Sequence, residues 1–140
     1  MFAAFPLLAL IVVIYNLVAL TMTGGLHALD AQTQMTQELF GVHMASGVRW
    51  SVNLGDLMLV GSLGILFIEL LKSTTSRRLA IINHSLSMIL FIACLIEFLL
   101  FSAFATSTFF LITLMVLLDV LAGFIVTIVA ARRDVELTTD

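Results

Sequence analysis

The stretch Thr108 to Ala131, TFFLITLMVLLDVLAGFIVTIVAA, holds 24 residues and a single charge, Asp119. As a helix it would run about 36 Å, against about 30 Å of hydrocarbon in a bilayer. Such a run demands either a large apolar core or a membrane. Composition decides between them. Of 140 residues, 61% are hydrophobic and 11% charged, and mean hydropathy is +1.20. Soluble domains are about 45–50% apolar and about 25% charged. The charges also cluster between long apolar runs, so the chain reads as one integral membrane domain. Asp119 then lies at mid-membrane, where a carboxylate costs roughly 3 kcal/mol. The fold has to hide it, pair it or hold a proton on it.

Three further runs complete an all-α bundle of four membrane-spanning helices. The expected spans are Phe2–Met22, Trp50–Leu71, Leu79–Phe101 and Thr108–Ala131. No Lys or Arg precedes the first run and no A-x-A site follows it, so it reads as a retained span and not as a cleaved signal peptide. Between spans one and two lies the outer segment 23–49, the only long polar stretch. Asp30 there is a candidate N-cap, and Met35, Leu39 and Val42 recur at i, i+4, i+7. This spacing predicts an amphipathic helix over residues 31–44, packed on the bundle's outer end or on a partner. Residues 132–140 form a short tail.

Five of the six basic residues, Lys72, Arg77, Arg78, Arg132 and Arg133, fall on one side of this arrangement, and Arg49 on the other. The positive-inside rule then puts both termini and the 72–78 loop in the cytoplasm. Trp50, next to Arg49, suits the outer interface.

Depth estimates from antiparallel packing bring Asn16, Asn53, Asp56, Glu97 and Asp119 toward the outer half of the bundle as one polar cluster. In span three, Asn83, Ser87, Cys94 and Glu97 lie on one side at 100° per residue, and in a membrane that side points inward. In span four, Asp119, Gly123, Thr127 and Ala131 follow at steps of four, a small-residue ridge that lets another helix come close. At the cytoplasmic end, Glu69 and His84 are a candidate pair. Intramembrane acids without basic partners are candidates for proton or cation handling. The competing reading makes them hydrogen-bonding groups that hold helices together.

Other chemistries find no motif. His27, His43 and His84 show no H-x-x-H or H-E-x-x-H spacing, so no metal is expected. Only His84 falls within a span, which argues against a haem held by two histidines. No G-x-S-x-G or phosphate-binding glycine loop occurs, so neither catalysis nor nucleotide or nucleic-acid binding is expected. No cofactor is implied, and Cys94, alone in the chain, has no internal disulfide partner.

The segments W-S-V-N-L-G-D (50–56), E-L-L-K (69–72), N-H-S-L-S-M (83–88), A-T-S-T-F-F (105–110) and L-D-V-L-A-G-F (118–124) resemble small uncharacterised bacterial inner-membrane proteins. The resemblance covers spans two to four. It implies a multi-pass protein of the bacterial inner membrane and carries no activity. The expected function is therefore that of a non-enzymatic accessory, assembly or scaffold subunit, acting through helix contacts in a homo-oligomer or larger membrane complex. The alternative is a proton- or cation-conducting or proton-coupled protein that uses Asp56, Glu97 and Asp119.

Overall fold

The computed structural model describes residues 5–22, 24–26, 29–73 and 77–137. In chain order these form α1 (Leu8–Thr21), α2 (Ala31–Met35), β1 (Glu38–His43), β2 (Arg49–Asn53), α3 (Leu54–Ser73), α4 (Arg77–Leu100), a 3-10 turn (Ser102–Phe104) and α5 (Ser107–Leu137). The chain is mostly helical, and α3, α4 and α5 are long and apolar enough to cross a membrane. Many large side chains on their outer faces, among them Val60, Phe67, Ile89, Leu99 and Ile125, are exposed.

Side-chain contacts fix the directions of the helices. Ser87 meets Asp119 and Phe98 meets Phe110, so α4 and α5 are antiparallel. Leu8 meets Glu69, while a Cβ on Gly61 would touch Ile11, so α1 and α3 are antiparallel. α5 packs against both α3 and α4. Its buried face carries Phe109, Ile112, Thr113, Val116, Asp119, Val120 and Gly123, a helical spacing of threes and fours. At Gly55 of α3 a Cβ would strike the Thr108 hydroxyl of α5, so glycine is what lets these two backbones close up.

Four sequence expectations change. First, α1 has 14 residues, about 21 Å at 1.5 Å per residue, short of a full crossing. The start of the expected first span, residues 2–4, lies outside the described residues. Second, the amphipathic helix over 31–44 does not form. α2 stops at Met35, and an antiparallel hairpin follows, pairing Phe40 with Val52, Val42 with Trp50 and His43 with Arg49. The fold is therefore not purely α. Third, the second span starts at Leu54 and not at Trp50, which lies in β2. Fourth, α5 continues to Leu137, so most of the expected tail is helical; residues 138–140 lie outside the described residues.

The hairpin has a local cause. Met44 N donates to Val48 O and Gly47 N donates to Met44 O, at 2.9 Å each. Gly47 has φ +82°, which an L side chain rarely adopts. A three-residue loop that ends on such a glycine is a standard hairpin closure. Helix α3 then begins on a reciprocal cap. Asp56 N donates to Asn53 Oδ1 at 2.8 Å, and Asn53 N donates to Asp56 Oδ2 at 3.1 Å.

At the same end of the molecule, Thr106 ties α1 to α5. Its hydroxyl oxygen accepts from Phe109 N at 3.1 Å, capping α5, and lies 2.6 Å from the buried Tyr15 hydroxyl of α1. Tyr15, Phe104 and Phe109 form a ring cluster around this contact, with centroids 4.7–5.6 Å apart. A Thr106→Val substitution keeps the shape and removes both hydrogen bonds. We expect it to destabilise the protein by about 1–3 kcal/mol, read as a lowered midpoint of thermal unfolding in detergent.

Candidate functional site

The densest buried polar group lies at the opposite end, where α1, α3, α4 and α5 meet. Glu69 of α3 is fully buried. Its carboxylate accepts from Leu7 N at 2.9 Å and Leu8 N at 3.1 Å. These are orphan donors at the start of α1, where the helix dipole favours negative charge. Asn83 of α4 donates to Glu69 Oε1 at 3.1 Å. Lys72, one turn on from Glu69, sits 3.7 Å from the same oxygen and donates to Phe5 O at 2.8 Å. Carboxylate and ammonium thus hold the N-terminal segment against the end of α3.

Asn83 leads to Asp119 through Ser87. The Ser87 hydroxyl lies 3.1 Å from Asn83 O and 2.5 Å from Asp119 Oδ2, and all three residues are buried. A hydroxyl carries one proton. The one proton of the Ser87 hydroxyl is shared between Asn83 O and Asp119 Oδ2. Asp119 Oδ1 is 4.0 Å from His84 Nδ1. Among the described residues, Asp119 Oδ1, both His84 ring nitrogens and Asn83 Oδ1 have no hydrogen-bond partner. The His84 ring lies against Gly123, where a Cβ would collide with it. The ridge glycine of α5 is therefore the seat of an imidazole, and this explains the small residue more directly than close backbone approach does. Thr127, next on the ridge, turns its hydroxyl to Gly123 O at 2.9 Å.

The expected outer cluster of Asn16, Asn53, Asp56, Glu97 and Asp119 is not one group. Asn53 and Asp56 are occupied with each other as the cap of α3. Asn16 of α1 donates to Glu97 of α4 at 3.3 Å and to Val12 O at 3.1 Å. Asp119 meets α4 at Ser87, ten residues and so about 15 Å from Glu97 along the helix. The expected pair Glu69 and His84 shares one neighbourhood with different partners: Glu69 bonds Asn83 and the start of α1, and His84 lies beside Asp119. Sequence reasoning set Asn83 and Lys72 at the level of Glu69 and His84, left Ser87 as a stripe residue and missed Leu7 and Leu8 as members of this group.

A groove of about 340 Å³ between α4 and α5 runs past His84, with Ile81, Met88 and Phe124 on its walls. Neither it nor the two other grooves described, along α3 and beside Val18 and Met35, is lined by an acidic side chain. Among the described residues, no three of His, Cys, Asp and Glu are grouped to hold a metal ion. His27 lies outside the described residues.

Fold and site together define a helical protein with three helices able to cross a membrane and a buried polar node at one end. No protein-family model matches the chain, and no curated protein or solved structure is similar to it.

Two substitutions separate the parts of the node. Glu69→Leu leaves two backbone donors and the Asn83 amide without an acceptor, an expected loss of roughly 2–4 kcal/mol in detergent unfolding. Asp119→Asn retains a hydrogen-bond partner for Ser87 and is expected to cost under about 1.5 kcal/mol, whereas Asp119→Leu removes that partner and costs about 1–3 kcal/mol. Equal losses for the two Asp119 variants would show that the Ser87 contact contributes nothing.

Proposed function

We propose that this chain is a multi-pass protein of a bacterial inner membrane that works through helix contacts. In this reading it is a non-enzymatic accessory, assembly or scaffold subunit of a homo-oligomer or a larger complex. α3, α4 and α5 cross the bilayer, and the segment that holds α1 makes a fourth crossing alongside α3. Both termini lie on the cytoplasmic side, following the bias of Lys72, Arg77, Arg78, Arg132 and Arg133.

The observation that carries this reading is how the buried and half-buried acids are used. Asp56 caps α3, Glu69 caps α1 from α3, Glu97 joins Asn16 and Asp119 joins Ser87. Each is engaged in a contact that sets a helix end or couples two helices. A conducting protein needs acids that face a wet path. The apolar outer faces of α3, α4 and α5 are free for lipid or for a neighbouring helix.

A second reading, proton or cation conduction, has one observation in its favour. Asp119 Oδ1 and the His84 nitrogens are buried without partners, and such groups are often functional. Flux measurements in proteoliposomes discriminate. The subunit reading expects no proton or cation flux above that of empty liposomes, for the wild type and for Asp119→Asn alike. Wild-type flux that Asp119→Asn abolishes while folding is kept would replace it with the conducting reading. Purification in mild detergent followed by mass spectrometry is expected to recover a stoichiometric partner or a homo-oligomer.

A further inference from the structure

The hairpin has two chemically different faces. Residues directly opposite in an antiparallel pair share a face, as do residues two apart. Pairing of Phe40 with Val52 and Val42 with Trp50 puts these four side chains together. Met44 and Val48, bonded to each other across the loop, extend the row. The other face carries Gly41, Ser51, His43 and Arg49. Arg49 pairs with Glu38 and lies flat over Gly41, where a Cβ would collide with its guanidinium. All the charge of the hairpin is therefore on one side, and its glycine makes room for that ion pair.

A two-stranded ribbon has nothing of its own to cover either face. Val52 is nevertheless only 5% exposed, so the apolar face is the one turned toward the body of the protein. Further toward the loop that cover ends. Phe40, Val42, Met44, Val48 and Trp50 are 41–65% exposed on the same face. The hairpin overhangs the helices, apolar side down, at the end where α3 starts. An isolated two-stranded hairpin is marginal in water unless its apolar face is covered. Indole favours the level of lipid headgroups, where an apolar body meets a polar edge. The overhanging face offers no charge to a protein partner, and α3, which follows directly on β2, exposes Leu57 and Val60.

We propose that the overhanging part of the hairpin lies on the outer headgroup layer of the bilayer, with Trp50 as its anchor and the Glu38–Arg49 pair facing water. This rests on the membrane reading above. The surface recognised is a lipid interface of no particular charge, since the only basic side chain of the hairpin other than histidine is paired on the opposite face.

Trp50 is the sole tryptophan of the chain, so its fluorescence reports this position alone. The full chain is reconstituted in phosphatidylcholine vesicles brominated either near the headgroup or near the chain end. The proposal expects loss of roughly half the emission with bromine near the headgroup, much less with bromine near the chain end, and little quenching by aqueous iodide. The double variant Trp50→Phe, Ser51→Trp moves the indole to the charged face, where iodide should quench and bromolipid should not. Iodide quenching of Trp50 without bromolipid quenching overturns the proposal. Protection of Trp50 from both quenchers also overturns it, in favour of a protein cover such as a second copy. Flotation at alkaline pH separates the two readings: a chain that does not float with vesicles defeats the membrane reading itself, and one that floats with Trp50 unquenched by lipid defeats only the placement of the hairpin.

Discussion

The carboxylate of Glu69 is the contact on which the arrangement of helices most depends. It is fully buried, close to the end of α3, in a region of aliphatic side chains. An ionised carboxylate is stable there only when its oxygens are satisfied. The start of α1 supplies two backbone donors, α4 supplies the Asn83 amide, and Lys72 supplies a nearby positive charge. The hydrogen-bond donors come from α1 and α4, so satisfying one acid of α3 positions three helices. The same group settles the orphan N–H groups of α1, which would be costly without water around them. Asn83 then passes the connection to Ser87, and Ser87 to Asp119 on α5.

Much of this was legible in the sequence. A lone charge in a run of 24 apolar residues had to be buried, and Asp119 is. Its partner was misjudged because depth was measured from the ends of the runs. Measuring from the turn is better. Asp119 lies 15 residues beyond Phe104, the last residue of the 3-10 turn, and 15 residues before its first residue, Ser102, stands Ser87. That symmetry of an antiparallel pair names the observed contact. Glu97, only five residues before the turn, belongs to another level and finds Asn16 of α1 instead.

The hairpin was missed for a different reason. Met35, Leu39 and Val42 satisfy a helical count, yet the count crosses Thr36 and Gln37, where α2 ends. The stronger pattern was alternation, Phe40, Val42, Met44 and then Val48, Trp50, Val52, on either side of Ala45-Ser46-Gly47. Competition between the two periods is resolved by the turn, because a glycine at positive φ closes a hairpin and would weaken a helix. What no pattern in the sequence announced is the seat of His84 on Gly123. Small residues at steps of four imply close approach but do not say whether a backbone or a ring makes it.

The clasp between Glu69 and the start of α1 has a consequence for biogenesis. Its partners are 61 and 62 residues apart in the chain. A ribosome adding about 5–20 residues per second makes the first donors roughly 3–12 seconds before their acceptor exists. Through that interval α1 is a short helix with an uncapped end and no α3 to lie against. Its final seating must therefore be a late event, completed when α3 arrives. The order in which helices leave the ribosome is then not the order in which they lock, since α1 is made before α3 yet is secured only once α3 has arrived.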